Sequence, residues 1–299
     1  MSLRVALIGC VESSRVALQS LLDMPADLVH VVGVVTRRHS TFNADFTDIA
    51  PLACHRDIPL LYAEDAPTDP QQAEWLQTVR PDVIFCIGWS HLLGERVMKS
   101  APRGVVGFHP AALPANRGRH PLIWALALGL HETASSFFMI EAAADSGALL
   151  SQLPIAITND DDAASLYAKV MDVVPGQLRD IVTGLADGTL KPQGQDASQA
   201  NHWRKRTAKD GLIDWRMSTG SIVNLVRALA RPYPGAEFVC EGVPVKLWKC
   251  VAIDDVPMNI EPGKVLRTDG REVTVKCGMG AVRLVEHELP KIPEPGAYL

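Results

Sequence analysis

The chain has 299 residues, 47% of them hydrophobic and 21% charged. That is enough for two domains with real cores and is an ordinary balance for a soluble protein. No apolar run approaches a membrane span, and a net charge of −5 gives no global attraction to nucleic acid while leaving room for a local basic patch. The six cysteines are scattered without metal-ligand spacing, which argues against structural zinc and for reduced thiols in a cytoplasmic protein.

The opening residues run straight into Val11-Glu12-Ser13-Ser14 without a small-residue cleavage site, so Leu3–Ile8 is expected as a buried first strand rather than a leader. Ser13 or Ser14 would cap a helix over Arg15–Leu22, and Leu28–Val35 reads as a second strand. Strand, helix and strand in succession imply a parallel βαβ unit. The turn after the first strand lacks the glycines of a dinucleotide fingerprint. Ile58–Tyr62 predicts a short strand, Gln71–Val79 a helix, Asp82–Ile87 and Val105–Phe108 buried strands, Pro121–Leu130 a helix and Ser135–Ile140 a strand. Ile155–Ile157 would be an outer strand. Asp160–Asp162 would open a helix over Ala163–Val173 that resumes at Gln177–Leu185, where three acids suit the helix dipole better than a metal. Lys191–Gln199 reads as a surface connection.

A second section starts near Asn201. It has a basic cluster, Trp203–Arg206, then a helix over Ser221–Leu229 broken by Pro232-Tyr233-Pro234-Gly235. Short strands are expected at Glu237–Val239, Val243–Trp248, Gly263–Leu266, Glu272–Cys277 and Ala281–Val285, with a hairpin at Thr268–Arg271. The predicted fold is α/β, with a Rossmann-like, mostly parallel sheet over 1–200 and a smaller OB-like β-barrel domain over 201–299.

The most informative stretch is Gly104–Gly118. A buried strand ends in His109-Pro110, followed by Leu113-Pro114 and Arg117-Gly118, with Asp145-Ser146-Gly147 downstream. An ionisable ring at a strand end is where an α/β enzyme places its chemistry. This pattern resembles the folate-dependent formyltransferases, which move a formyl group from N10-formyltetrahydrofolate to an amine. Asp210-Gly211-Leu212-Ile213-Asp214-Trp215 and Pro232–Ala236 resemble the C-terminal part of the methionyl-tRNA and sugar branches. The resemblance therefore covers nearly the whole chain.

The resemblance implies that His109 shuttles protons and that Asp145 is its partner. Formyl transfer also needs a donor for the tetrahedral oxyanion. The family usually has asparagine where this chain has Gly107. Asn116 or His120, or a backbone N–H brought close by the small residue, is expected to stand in for it. The folate slot would be walled by the loop carrying Gly88, Trp89, Leu92 and Leu93 and by Ala142, Ala143, Ala144 and Asp145. Pterin recognition by backbone groups leaves no trace in sequence. No metal is implied.

Arg117, Arg119 and His120 are the candidate acceptor contacts, because arginine forks meet phosphate and carboxylate groups. The segments Gly88–Leu93 and Arg117–Pro121 look closest to sugar N-formyltransferases of surface-glycan pathways, so a nucleotide-linked amino sugar is the expected acceptor. Methionyl-tRNA is the alternative, with Arg204, Lys205, Arg206, Lys246, Lys249 and Arg271 as a phosphate track. A binding protein that lost transfer with its asparagine and a formate-releasing hydrolase are the other readings. No membrane partner is expected. A homodimer through Leu247-Trp248 competes with simple core packing at that face.

Overall fold

The computed structural model describes residues 2–40, 45–63 and 69–299. In chain order, β1 (Leu3–Ile8), α1 (Glu12–Leu22), β2 (Val29–Thr36), α2 (Ala50–His55), β3 (Leu60–Tyr62), α3 (Asp69–Val79), β4 (Val83–Cys86), α4 (Glu95–Met98) and β5 (Val105–His109) lead to the His109 loop. Next come β6 (Arg117–Gly118), α5 (Pro121–Ala127), β7 (Glu132–Met139), β8 (Leu149–Ala156), α6 (Ala163–Asp187) and β9 (His202–Trp203). The remainder is α7 (Thr219–Ala228), β10 (Ala236–Cys240), β11 (Val243–Ile253), β12 (Val265–Asp269), β13 (Glu272–Lys276) and β14 (Ala281–His287).

The chain packs as two compact units. One holds the described residues up to Gly118 with Ala134–Ile155 and Lys169–His202; the other holds Arg119–Thr133, Ala156–Ala168 and Trp203–Leu299. A division at residue 200 follows chain order, whereas the packing sorts segments by their neighbours.

The first unit is built on a seven-stranded sheet in the order β3-β2-β1-β4-β5-β7-β8. Strands β1 to β5 run parallel, and β7 is antiparallel to β5. The runs that form β1 and β4 are apolar almost throughout because both faces of a central parallel strand are covered, and Val5–Ile8 and Val83–Phe85 are fully buried. The chain leaves β1 to one side for β2 and β3 and returns on the other at β4. Such a switch point puts a crevice at the carboxyl ends of β1, β4 and β5.

Several elements differ from expectation. Helix α1 begins at Glu12, ahead of the predicted Arg15. Ser14 lies inside its first turn, where its hydroxyl accepts from the Val11 N–H at 3.1 Å and donates to the Ile87 carbonyl at 2.6 Å. Strand β8 starts at Leu149, not Ile155; its exposed, proline-containing sequence hides an edge strand. Helix α6 runs unbroken through Pro175. A continuous buried row, Leu166, Val170, Val174, Leu178, Ile181 and Val182, outweighs the one backbone bond that the proline forfeits. At its start the Asp162 carboxylate accepts the Ser165 N–H at 2.9 Å, an N-cap.

The second unit contains a five-stranded antiparallel sheet, β10-β11-β14-β13-β12. Its edge strands β10 and β12 are not paired with each other among the described residues, the partly open arrangement of an OB-like domain. Strand β11 extends to Ile253, past the predicted Trp248. Helix α7 is capped by Ser218, whose hydroxyl accepts the Ser221 N–H at 3.1 Å, and buries Ile222, Leu225 and Val226.

Candidate active site

His109 ends β5 at the carboxyl edge of the first unit's sheet and is 5% exposed. Its Nε2 lies 2.8 Å from the Asn116 carbonyl. A carbonyl only accepts, so Nε2 carries a proton in this contact, and the tautomer it selects has its lone pair on Nδ1. Nδ1 has no hydrogen-bond partner among the described residues.

The loop that follows is tied down residue by residue. The Ala111 N–H donates to the His109 carbonyl, and the Leu113 N–H to the Ala111 carbonyl, both at 2.9 Å. The Ser136 hydroxyl donates to the Ala111 carbonyl at 2.6 Å, and Gln152 Nε2 donates to the Leu113 carbonyl and to Ser136 Oγ, each at 2.9 Å. Further on, the Asn116 N–H donates to Asn201 Oδ1 at 2.6 Å and the Arg117 N–H to the Asn201 carbonyl at 3.1 Å. The Gly118 N–H donates to Asp145 Oδ2 at 3.0 Å.

His109 and Asp145 therefore do not hydrogen-bond to each other. They hold the two ends of one three-residue segment, His109 at Asn116 and Asp145 at Gly118. Asn116 (φ +64°) and Asp145 (φ +56°) both adopt the left-handed region, which Asn and Asp tolerate better than other side chains. In Asp145-Ser146-Gly147 the glycine is required by a close approach, since a Cβ at 147 would lie 1.8 Å from the Met139 carbonyl oxygen.

Gly107 is flanked in the sheet by Cys86 and Phe138. A Cβ there would meet Ile140 Cγ1 and Phe138 Cζ at 2.8 Å. The volume a side chain would need is filled by apolar groups, so Gly107 serves the packing of β5 against β7. The Asn116 side-chain amide has no partner among the described residues, while its main chain is fully engaged.

The expected ligand walls divide in two. Trp89 and Leu93 are partly buried against the apolar cluster that includes Ile84, Cys86 and Val105, as is Ile140, which the sequence reading did not include. Leu92 is 82% exposed, and Ala142, Ala143 and Ala144 face solvent. Gly88 turns the chain out of β4, with its carbonyl 3.8 Å from Cys10 Sγ. The Arg37 guanidinium lies 5.0 Å from the centre of the Trp89 ring and 3.2 Å from His91 Nδ1. Arginine only donates, so His91 Nδ1 is the acceptor in this contact.

The expected acceptor contacts fall in both units. Arg117 is 7% exposed, with Nη2 donating to Gln195 Oε1 at 2.7 Å; it is turned inward. Arg119 and His120 belong to the second unit. There the His120 Nδ1 accepts the Arg206 N–H at 3.3 Å. Burial lowers the His120 pKa first, and Arg119, Arg206 and Lys205 add to it, so the ring is neutral near pH 7. The Arg206 and Arg204 guanidinium groups lie 4.5 Å and 5.3 Å from the centre of the Trp124 ring. In the suggested phosphate track, Arg204 pairs with Asp210 and Lys246 with Glu237. Sequence reasoning missed Gln195 and Asn201, which lie in or beside the stretch read as a surface connection. Apart from the Arg117 guanidinium on Gln195, their partners are backbone groups, which carry no residue-type signal.

The switch-point crevice, a buried strand-end histidine and a left-handed aspartate define an enzyme-like α/β site. Residues 4–180 match the family described as Formyl transferase, and residues 205–295 match Formyl transferase, C-terminal domain. The chain belongs to the formyl transferase family.

Solved structures share the fold at low identity. HypX from Aquifex aeolicus is 18% identical with a TM-score of 0.67, over 97% of this chain and 45% of that one. This chain thus spans under half the length of HypX. The N-formyltransferase from Helicobacter canadensis is 13% identical, TM-score 0.73, covering 96% of this chain and 100% of that one. A 4-N formyltransferase from Francisella tularensis is 15% identical, TM-score 0.66, covering 81% and 94%. No helix among the described residues is long and apolar enough to cross a membrane.

Proposed function

We propose that this protein transfers a formyl group from N10-formyltetrahydrofolate to the primary amine of a nucleotide-linked amino sugar. The observation that carries the reading is the shared grip of His109 and Asp145 on residues 116–118, in a chain of the formyl transferase family. The Helicobacter relative is described in complex with folinic acid and dTDP-3-aminofucose, and HypX in complex with tetrahydrofolic acid. For a planar donor ring, Trp89 and Leu93 offer apolar surface backed by core, and Leu92 and Ala142–Ala144 are exposed groups that a bound ring would cover.

The bound donor supplies a formyl carbon on a nitrogen leaving group. The chain supplies the proton handling. As the amine nitrogen bonds to the formyl carbon and the carbon–N10 bond breaks, His109 Nδ1 takes the proton that the amine must lose and passes it to the departing N10, and the ring's Nε2–H bond to Asn116 fixes both tautomer and ring plane. Asp145 acts through the loop, keeping Gly118 and hence Asn116 in place. The Asn116 side-chain amide, uncommitted among the described residues, is the oxyanion donor in place of the asparagine absent at Gly107. Arg117 is assigned to the framework of this site rather than to the acceptor.

The test incubates the purified protein with the donor and a panel of nucleotide-linked amino sugars, with methionyl-tRNA alongside. Tetrahydrofolate release is read by absorbance and formylated product by mass. A formylated sugar, lost in His109→Ala, supports the reading. Formylated tRNA alone, with steep salt dependence, replaces it with the tRNA reading. Formate release without an acceptor product marks a hydrolase, and donor binding without turnover marks a binding protein.

A further inference from the structure

Gln195 lies in the connection after α6, and the chemistry of formyl transfer described above does not use it. Its amide is nonetheless committed on every side. Nε2 donates to the Asp145 carbonyl at 2.9 Å and to the Gly147 carbonyl at 2.7 Å, and Oε1 accepts from Arg117 Nη2 at 2.7 Å. Two carbonyls require N–H groups and a guanidinium requires an oxygen, so only one orientation of the amide satisfies all three. Arg117 is more than nine-tenths buried, has an Nε without a partner, and makes no ion pair among the described residues. Gln195 is its one side-chain partner there.

We propose that Gln195 is a positioning residue for formyl transfer: it clamps the Asp145–Gly147 turn from behind and so sets the carboxylate that holds Gly118. The inference rests on the formyl-transfer reading for its catalytic consequence, but the clamp is a property of the fold. The turn it holds contains a left-handed Asp145, a conformation that persists only where neighbours over-determine it. From the other side, Asn201 holds the Asn116 and Arg117 amides. The connection Lys191–Gln199, read from sequence as a solvent-facing link, is thus a strap on the site. A misplacement of about 1 Å at such a loop is enough to cost about a hundredfold in rate.

The decisive variant is Gln195→Glu. It keeps an acceptor, now charged, for Arg117, while removing both N–H donors from the two turn carbonyls. If Gln195 positions the turn, kcat falls about tenfold or more, while KM for the donor and the melting temperature hold. Amide hydrogen exchange at Gly118 speeds about tenfold, with β4 unchanged. Gln195→Met, which also strands Arg117, is expected to be worse in stability as well. If it does not fold, Gln195→Glu carries the test. Unchanged kcat and unchanged Gly118 exchange in Gln195→Glu overturn the proposal, as does a loss of kcat matched by an equal loss of donor affinity. If the wild-type protein formylates nothing, the functional reading fails by itself. Gly118 exchange in the variant then decides the clamp.

Discussion

The loop from His109 to Gly118 is tied down by Ser136, Gln152, Asn201 and Asp145, whereas Leu92 and Ala142–Ala144, in the segments after β4 and β7, stand in solvent. One region spends side-chain amides and hydroxyls on fixing a backbone; the other leaves apolar groups uncovered. The contrast separates chemistry from binding. A proton-transfer group must be held to within fractions of an ångström before the reactants arrive. The walls of a ligand slot gain their burial from the ligand itself.

The comparison breaks first at His109. His109→Ala is expected to lower kcat by about 10²–10⁴, the range for a general acid–base group. Donor binding, read by fluorescence titration, should hold. A variant that keeps more than a tenth of wild-type turnover would remove His109 from the proton path.

Asp145 sharpens it next. Asp145→Asn keeps an oxygen for the Gly118 N–H, and Asp145→Ala does not. If the carboxylate acts mainly by holding the loop, Asp145→Ala loses about a hundredfold in kcat while Asp145→Asn loses about tenfold or less. Equal losses in both would mean that the charge, not the hydrogen bond, is what the reaction needs.

Gly107→Asn reverses the usual logic of restoring a missing donor. A Cβ at 2.8 Å from Ile140 and Phe138 overpacks β5, so we expect about 1–3 kcal/mol of destabilisation in a denaturant titration and no gain in rate. A faster, equally stable variant would show that the site accepts an asparagine after all.

The smallest structural effect belongs to the open wall. Leu92→Asp should leave stability within about 0.5 kcal/mol, as for exposed positions generally, yet weaken donor binding several-fold. Unchanged donor affinity would take Leu92 out of the slot.

Much of this site was legible beforehand because its signals are local. Apolar runs marked β1, β4 and β5, and the His109-Pro110 and Asp145-Ser146-Gly147 motifs marked their loops. What was not legible lies in partners without side-chain identity. The direct His109–Asp145 pairing expected from the motifs is replaced by two separate bonds to the backbone of one loop. The inward turn of Arg117 follows from Gln195, a residue distant in sequence whose neighbours suggested only a connection. Pro175 and the exposed β8 misled for a related reason: a local breaker or a polar edge is overruled by a buried row or by a neighbouring strand.

By itself the sequence determined the order of the longer strands and helices, the membership of a family and the position of the ionisable groups, because these depend on residue type and short spacing; the short α2, α4, β6 and β9 came only with the fold. Only the tertiary structure decided which groups hold one another. Backbone carbonyls and amides look alike at every position, and the folded chain alone selects which of them meets His109, Asp145 or Gln195.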